Sequence, residues 1–185
     1  MTPTTRTPPP LLADPRLQPA RALAHQSDEA TLGEQLELVA IPAPPFGEEP
    51  RGRRVLERFR ELGLEGAHAD EVGNVLATLP GASAGAAPVV VAAHLDTVFA
   101  AGTELTPRRE NGRIYAPGIT DNSRGLAGML AVARVLRQAG VRTERPVVFV
   151  GTVGEEGSGD LRGVKHLFRE GAALRGASAF IALDG

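Results

Sequence analysis

The sequence predicts an α/β fold, a buried sheet with helices on both sides. Three observations predict it. Residues 88–93, 146–153 and 179–183 are short apolar runs rich in valine and alanine, without polar alternation. That is the pattern of strands buried on both faces. Between the first two, residues 123–138 place Leu126, Met129, Leu130, Ala133 and Leu136 at helical spacing. Buried strands alternating with helices give layered α/β architecture. The third observation is chemical: each apolar run stops at or just before a histidine or a carboxylate.

In chain order, residues 1–27 begin rich in proline and threonine and read as a mobile tail. Ser27 can cap a helix over 28–40, with Leu32, Leu36 and Val39 on one stripe. Ile41-Pro42-Ala43-Pro44-Pro45 ends it, because proline cannot continue the hydrogen-bond ladder. A helix over 48–62 puts Val55, Leu56, Phe59 and Leu62 on its inner face and stops at Gly63. Two short strands, 67–70 and 74–79, flank a turn at Glu71-Val72-Gly73, and 81–87 is a small-residue loop. Residues 112–115 read as a further short strand, the helix over 123–138 stops at Gly140, and 159–168 read as helical. Neither an internal repeat nor a linker interrupts 28–185.

A length of 185 residues suffices for one domain with a sizeable core. A net charge of -2 gives no reason to expect nucleic acid or an anionic membrane as partner. No apolar run approaches the ~20 residues of a membrane span, and the N-terminus lacks the basic-then-apolar pattern of a signal peptide. The chain contains no cysteine, so any metal must sit on His, Asp and Glu. That fits a reducing compartment, and the expected location is cytoplasmic.

The candidate site residues are His94 and Asp96, Asp121, the adjacent Glu155 and Glu156, and Asp184. In an open α/β sheet, ligands bind beyond the carboxyl ends of the strands, where residues distant in sequence can converge. One imidazole and several carboxylates at such a place suit a two-metal hydrolytic centre. Each cluster has a blander reading. A His-x-Asp is commonly incidental in a loop, and Glu155-Glu156 can be an exposed acidic turn. Asp121 can be a first-turn helix acid, and Asp184 a strand-end turn residue. The ordered series is what favours chemistry. Adjacent carboxylates after a buried strand are unfavourable unless a cation compensates one, and a metal-bound imidazole usually gives its second N–H to a carboxylate such as Asp96.

Ala93-His94-Leu95-Asp96-Thr97-Val98, Gly118-Ile119-Thr120-Asp121-Asn122, Gly154-Glu155-Glu156-Gly157 and Ala182-Leu183-Asp184-Gly185 together resemble the M20 metallopeptidases. That group includes tripeptide aminopeptidase, carboxypeptidase G, dipeptidases and amidohydrolases that deacylate amino acids. Ile41-Pro42-Ala43-Pro44 and Glu71-Val72-Gly73-Asn74-Val75 resemble the family's N-terminal region. The resemblance implies a three-layer α/β/α catalytic domain of the zinc-peptidase type with a mixed, mostly buried sheet. It implies two divalent metal ions, zinc foremost, with cobalt or manganese accepted by the same ligands. It assigns His94 and Asp184 to one metal, Asp121 to the bridge and Glu156 to the other metal. Glu155 becomes the general base for a water activated by the two metals, and Asp96 orients His94. The implied substrate is a small peptide or an N-acyl amino acid, and the full-length protein would form a homodimer. The Asp121-Asn122 bond is the expected cis peptide.

The sequence departs from the family pattern by stopping at Gly185. Residues 28–185 read as the N-terminal portion of a metal-dependent catalytic domain. On this expectation the lid and dimerisation domain, and the C-terminal catalytic segment with its last histidine, are not among these 185 residues. His25, His68 and His166 are poor substitutes by position. The expectations are an exposed apolar sheet edge, unequal metal sites and little hydrolysis by this chain alone. The alternative is a truncated, non-catalytic metal-binding or scaffold fragment.

Overall fold

The computed structural model describes residues 14–83, 85–169, 174 and 176–185. Helices α1 (Gln18–Gln26), α2 (Asp28–Val39) and α3 (Glu49–Glu61) come first. Strands β1 (Glu65–Ala69), β2 (Val75–Leu79) and β3 (Val89–His94) follow. A hairpin of β4 (Arg108–Glu110) and β5 (Arg113–Tyr115) precedes α4 (Ser123–Gln138). The chain then runs through β6 (Val147–Thr152), α5 (Arg162–Arg169) and β7 (Ala179–Ala182).

The main sheet has five strands in the order β1-β2-β6-β3-β7. It is mixed: β2 runs antiparallel to both β1 and β6, whereas β3 lies parallel to both β6 and β7. The parallel pairs require crossovers; α4 lies between β3 and β6, and α5 between β6 and β7. Alternate side chains divide between the faces. Val75, Ala77, Leu79, Val91, Ala93, Val147 and Phe149 face a core closed by Leu38, Val55, Phe59, Leu126, Met129 and Leu130 of α2, α3 and α4. Leu76, Val90, Ala92, Val148 and Val150 face the opposite way, toward Leu167 of α5 and Leu174. The architecture is therefore three-layered α/β/α, with one face covered more heavily than the other among the described residues.

Several details differ from the sequence reading. Residues 18–26, placed in the tail, form α1 and pack on α4 through Ala20 and its neighbours. Residues 1–13 lie outside the described residues. Because α1 runs directly into α2, the Ser27 hydroxyl donates back to the Ala24 carbonyl at 3.1 Å and does not cap α2. Helix α5 starts at Arg162, later than position 159, because Asp160 and Leu161 hold φ of 50° and 55°, which a right-handed helix excludes. Finally, β7 is not buried on both faces; all four of its residues are exposed. It pairs with β3 alone, and its Phe180 meets Phe168 of α5 edge-on at 5.4 Å. Among the described residues no helix is long and apolar enough to cross a membrane.

Candidate metal centre

The backbone brings the candidate residues to one end of the sheet before any side chain is considered. His94 is the last residue of β3, in register with Thr152 of β6. The Leu95 amide donates to Thr152 O at 2.7 Å, and the Leu183 amide donates to Ala92 O at 2.8 Å. The β3, β6 and β7 ends are thereby level, and they place His94, Glu155-Glu156 and Asp184 side by side. Asp121 arrives from the loop before α4. Its peptide bond to Asn122 is cis. Asn122 caps α4 by accepting the Gly125 amide at 3.0 Å, and its Nδ2 donates to the Leu183 carbonyl at 2.9 Å. This single side chain ties the Asp121 loop to the strand end carrying Asp184. A Cβ on Gly125 would fall 2.0 Å from Asn122 Oδ1, so glycine is required there.

His94 is buried, and its Nε2 faces two carboxylates, Asp121 Oδ1 at 2.9 Å and Asp184 Oδ1 at 3.5 Å. The side chains of these aspartates are about half exposed. Potential ligand atoms of His94, Asp121 and Asp184 lie within 4.8 Å of one another, as do those of His94, Glu155 and Glu156. His94 thus belongs to both groups. On its other side, Nδ1 lies 3.0 Å from the Asp96 backbone carbonyl and 3.5 Å from the Asp96 carboxylate. The carbonyl takes the hydrogen bond and the carboxylate acts through charge. Asp96, fully buried, spends its oxygens on the neighbouring loop: Oδ1 accepts the Glu155 amide at 3.0 Å and Oδ2 the Glu156 amide at 2.8 Å.

The electrostatics follow. Burial works against a charged His94, but Asp96, Asp121 and Glu155 outweigh it and push the imidazole up to about 9. Burial also opposes the charge on Asp96, and the His94 ring with the two amides holds its carboxyl below the ordinary carboxylate range. Glu156 is shifted the other way, raised by burial and by the negative charges of Asp121, Glu155 and Asp96 against the opposing pull of His94. An imidazole facing a surplus of carboxylate oxygen, in a chain without cysteine, is a donor set for a divalent cation of borderline character such as zinc. The residues present fit that group.

Sequence reasoning missed Arg51. Its side chain is 1% exposed, inside the core beneath the site. Nη1 donates to Leu95 O at 2.9 Å, while Nη2 and Nε donate to Ile41 O at 2.7 and 3.1 Å. Burial pulls its pKa down to about 10, against the opposing charge of Asp96. The guanidinium thus fixes the carbonyl between His94 and Asp96 and faces Asp96 from behind. A signal was available: Arg51, Val55 and Phe59 share one stripe of α3, and the last two are core.

The family model described as peptidase family M20/M25/M40 matches residues 90–184, just over half the chain. YgeY, an uncharacterized Escherichia coli K12 protein, is 28% identical over 128 residues, covering 65% of this chain and 30% of its own length. The crystal structure of aminopeptidase PepT from Bacillus cereus superposes with a TM-score of 0.70 at 30% identity, covering 85% of this chain and 43% of that one. The Bacillus subtilis YXEP protein, a dinuclear metal-binding peptidase of the M20 family, shares the fold at a TM-score of 0.63 and 17% identity, over 88% of this chain and 43% of its own. The chain spans less than half the length of these relatives. With its sheet, its strand-end motifs and this similarity, the chain belongs to peptidase family M20/M25/M40.

Proposed function

We propose that this chain carries the metal-binding corner of a hydrolase of peptide or N-acyl amide bonds, working with two divalent ions, zinc foremost. The observation that carries the reading is the position of His94 Nε2, buried at a strand end and opposed by Asp121 and Asp184. In this reading His94 and Asp184 would hold one ion, Glu156 would hold the other, and Asp121 would serve both. Bound metal polarises a carbonyl and lowers the pKa of water toward ~7. Asp96 keeps the imidazole oriented, through its carbonyl at Nδ1 and its carboxylate charge. Glu155 takes a proton from the attacking water at a carboxylate oxygen and returns it to the leaving nitrogen. Its amide is fixed by Asp96, so the base sits on the same anchor as the ligand beside it. PepT is an aminopeptidase, and a short peptide is accordingly the first substrate to try. A cysteine-free chain suits a reducing cytoplasm.

The test uses the protein expressed to the natural stop codon of its gene. Wild type and Glu155→Gln should take up the same zinc, and only wild type should release an amino acid from a tripeptide or an N-acyl amino acid. Equal hydrolysis by both proteins, or zinc uptake without hydrolysis by wild type, would overturn the reading.

A further inference from the structure

We propose that Asn74 is a positioning residue for the carboxylate pair: it clamps both feet of the loop that carries Glu155 and Glu156. The inference builds on the metal-centre reading and adds to it a residue two strands away from His94.

The segment from Val153 to Gly163, the loop between β6 and α5 with the first turn of α5, is conformationally demanding. Gly154, Gly157, Asp160 and Leu161 all hold positive φ, from 45° to 61°. At the non-glycine residues Asp160 and Leu161 such backbone persists only where its surroundings over-determine it. Asp96 holds the middle of the loop through the Glu155 and Glu156 amides. The two feet meet each other, the Gly163 amide donating to Val153 O at 2.9 Å. Asn74 locks this junction from the side. Its Oδ1 accepts the Val153 amide at 3.0 Å, and its Nδ2 donates to Gly163 O at 3.2 Å. Val153 and Gly163 are thus joined to one side chain, which is fully buried.

Asn74 is itself held. Its Nδ2 also donates to Asp70 Oδ2 at 2.7 Å, while Asp70 Oδ1 accepts the amides of Val72, Gly73 and Asn74. The amide orientation is therefore determined: the nitrogen must face Asp70 and the Gly163 carbonyl, and the oxygen must face the Val153 amide. The space is equally determined, since a Cβ on Gly163 would stand 2.2 Å from Asn74 Oδ1. Asn74 stands next to Val75, which pairs with Gly151 of β6, so the clamp is rooted in the sheet. Loss of the clamp would leave the loop tethered through Asp96 while both feet loosen. The Glu156 carboxylate would lose its fixed approach to the centre while the His94, Asp121 and Asp184 group would not.

The test combines amide hydrogen exchange in the metal-free protein with calorimetric zinc titration. In Asn74→Ala, amides of residues 153–163 should exchange roughly tenfold faster or more, with those of Val90 and Phe149 nearly unchanged. Zinc binding that depends on Glu156 should weaken roughly tenfold, and binding that survives Glu156→Ala should be unaffected. Adding Asn74→Ala to Glu156→Ala should then bring no further loss of zinc. A purely structural role would instead speed exchange throughout the core, or loosen the loop without changing zinc affinity; either result overturns the proposal. Unchanged loop exchange overturns it as well. If wild type binds no zinc, the metal-centre reading fails, and the exchange pattern alone decides the clamp. Should Asn74→Ala not fold, Asp70→Asn, which confronts the Asn74 amide with another N–H donor near the surface, must give the same local exchange pattern.

Discussion

Asp96→Asn isolates what the buried carboxylate does, because it preserves shape and removes charge. In the wild type the two oxygens each accept one amide, from Glu155 and Glu156. A carboxamide offers only one acceptor oxygen, so one of these buried N–H groups faces another donor. An orphaned buried donor costs about 1–3 kcal/mol. The substitution also strips Arg51 of the negative charge behind which it is buried. Removing the direct partner of a buried ion costs about 3–5 kcal/mol. Arg51 keeps its three hydrogen bonds to the Leu95 and Ile41 carbonyls, so a smaller share, about 1–2 kcal/mol, applies here. The sum is roughly 3 kcal/mol, which for a domain of this size lowers the melting temperature by about 6–12 °C. Urea denaturation and scanning calorimetry with chelator present measure it without interference from metal. Glu65→Gln, at an exposed position of β1, serves as the control and should fall within about 0.5 kcal/mol of wild type. If Asp96→Asn were as stable as that control, the carboxylate would not be anchoring the Glu155-Glu156 loop, and the reasoning would fail.

Three further outcomes are expected. Glu156→Ala should lower zinc content, whereas Glu155→Gln should leave it nearly unchanged and abolish turnover; equal metal loss in both would refute the division of roles. In the metal-free protein the raised His94 pKa, about 9 against an ordinary 6.5, contributes stability that is full below about pH 6.5 and is lost as pH rises through about 9, a difference of roughly 3 kcal/mol at most. Denaturation between pH 6 and pH 10 should show that decline in wild type and a flatter profile in His94→Gln; parallel profiles would contradict it. Glu34→Ala strands Arg134, whose Nη1 lies 2.6 Å from Glu34, and frees Arg58 at 2.5 Å. It should destabilise by about 3–5 kcal/mol in urea without altering zinc affinity.

The fold was legible where one physical signal dominated. The run at 147–152 and the helix at 123–138 carry unmixed apolar patterns, and the structure forms β6 and α4 there. β7 carries a similar run, yet its residues are exposed; composition reports what a strand can bury, not what is packed against it. Helix α1 was hidden by proline at its N-terminal turn, which resembles tail composition but is tolerated at a helix start. Strand β4 escaped because Arg108-Arg109-Glu110 has no apolar face, and the hairpin is set by Asn111 and Gly112 at φ of 50° and 72°. For the candidate site, the strand-end positions of His94, Glu155, Glu156 and Asp184 could be read from the ends of apolar runs. The contacts that fix them could not. Arg51 beneath Leu95, Asp96 on two amides and Asn122 on Leu183 are long-range pairings created by sheet register.

Zinc titration of the metal-free chain, wild type beside His94→Ala, tests the central claim most directly. Wild type should bind at least one zinc through His94, Asp121 and Asp184, with proton release as the imidazole gives up its charge, and a weaker second step should require Glu156. His94→Ala should lose the tighter step by at least roughly a hundredfold. Wild type that binds no zinc, or His94→Ala that binds it as tightly as wild type, would contradict the claim that this strand-end imidazole is the heart of a metal centre.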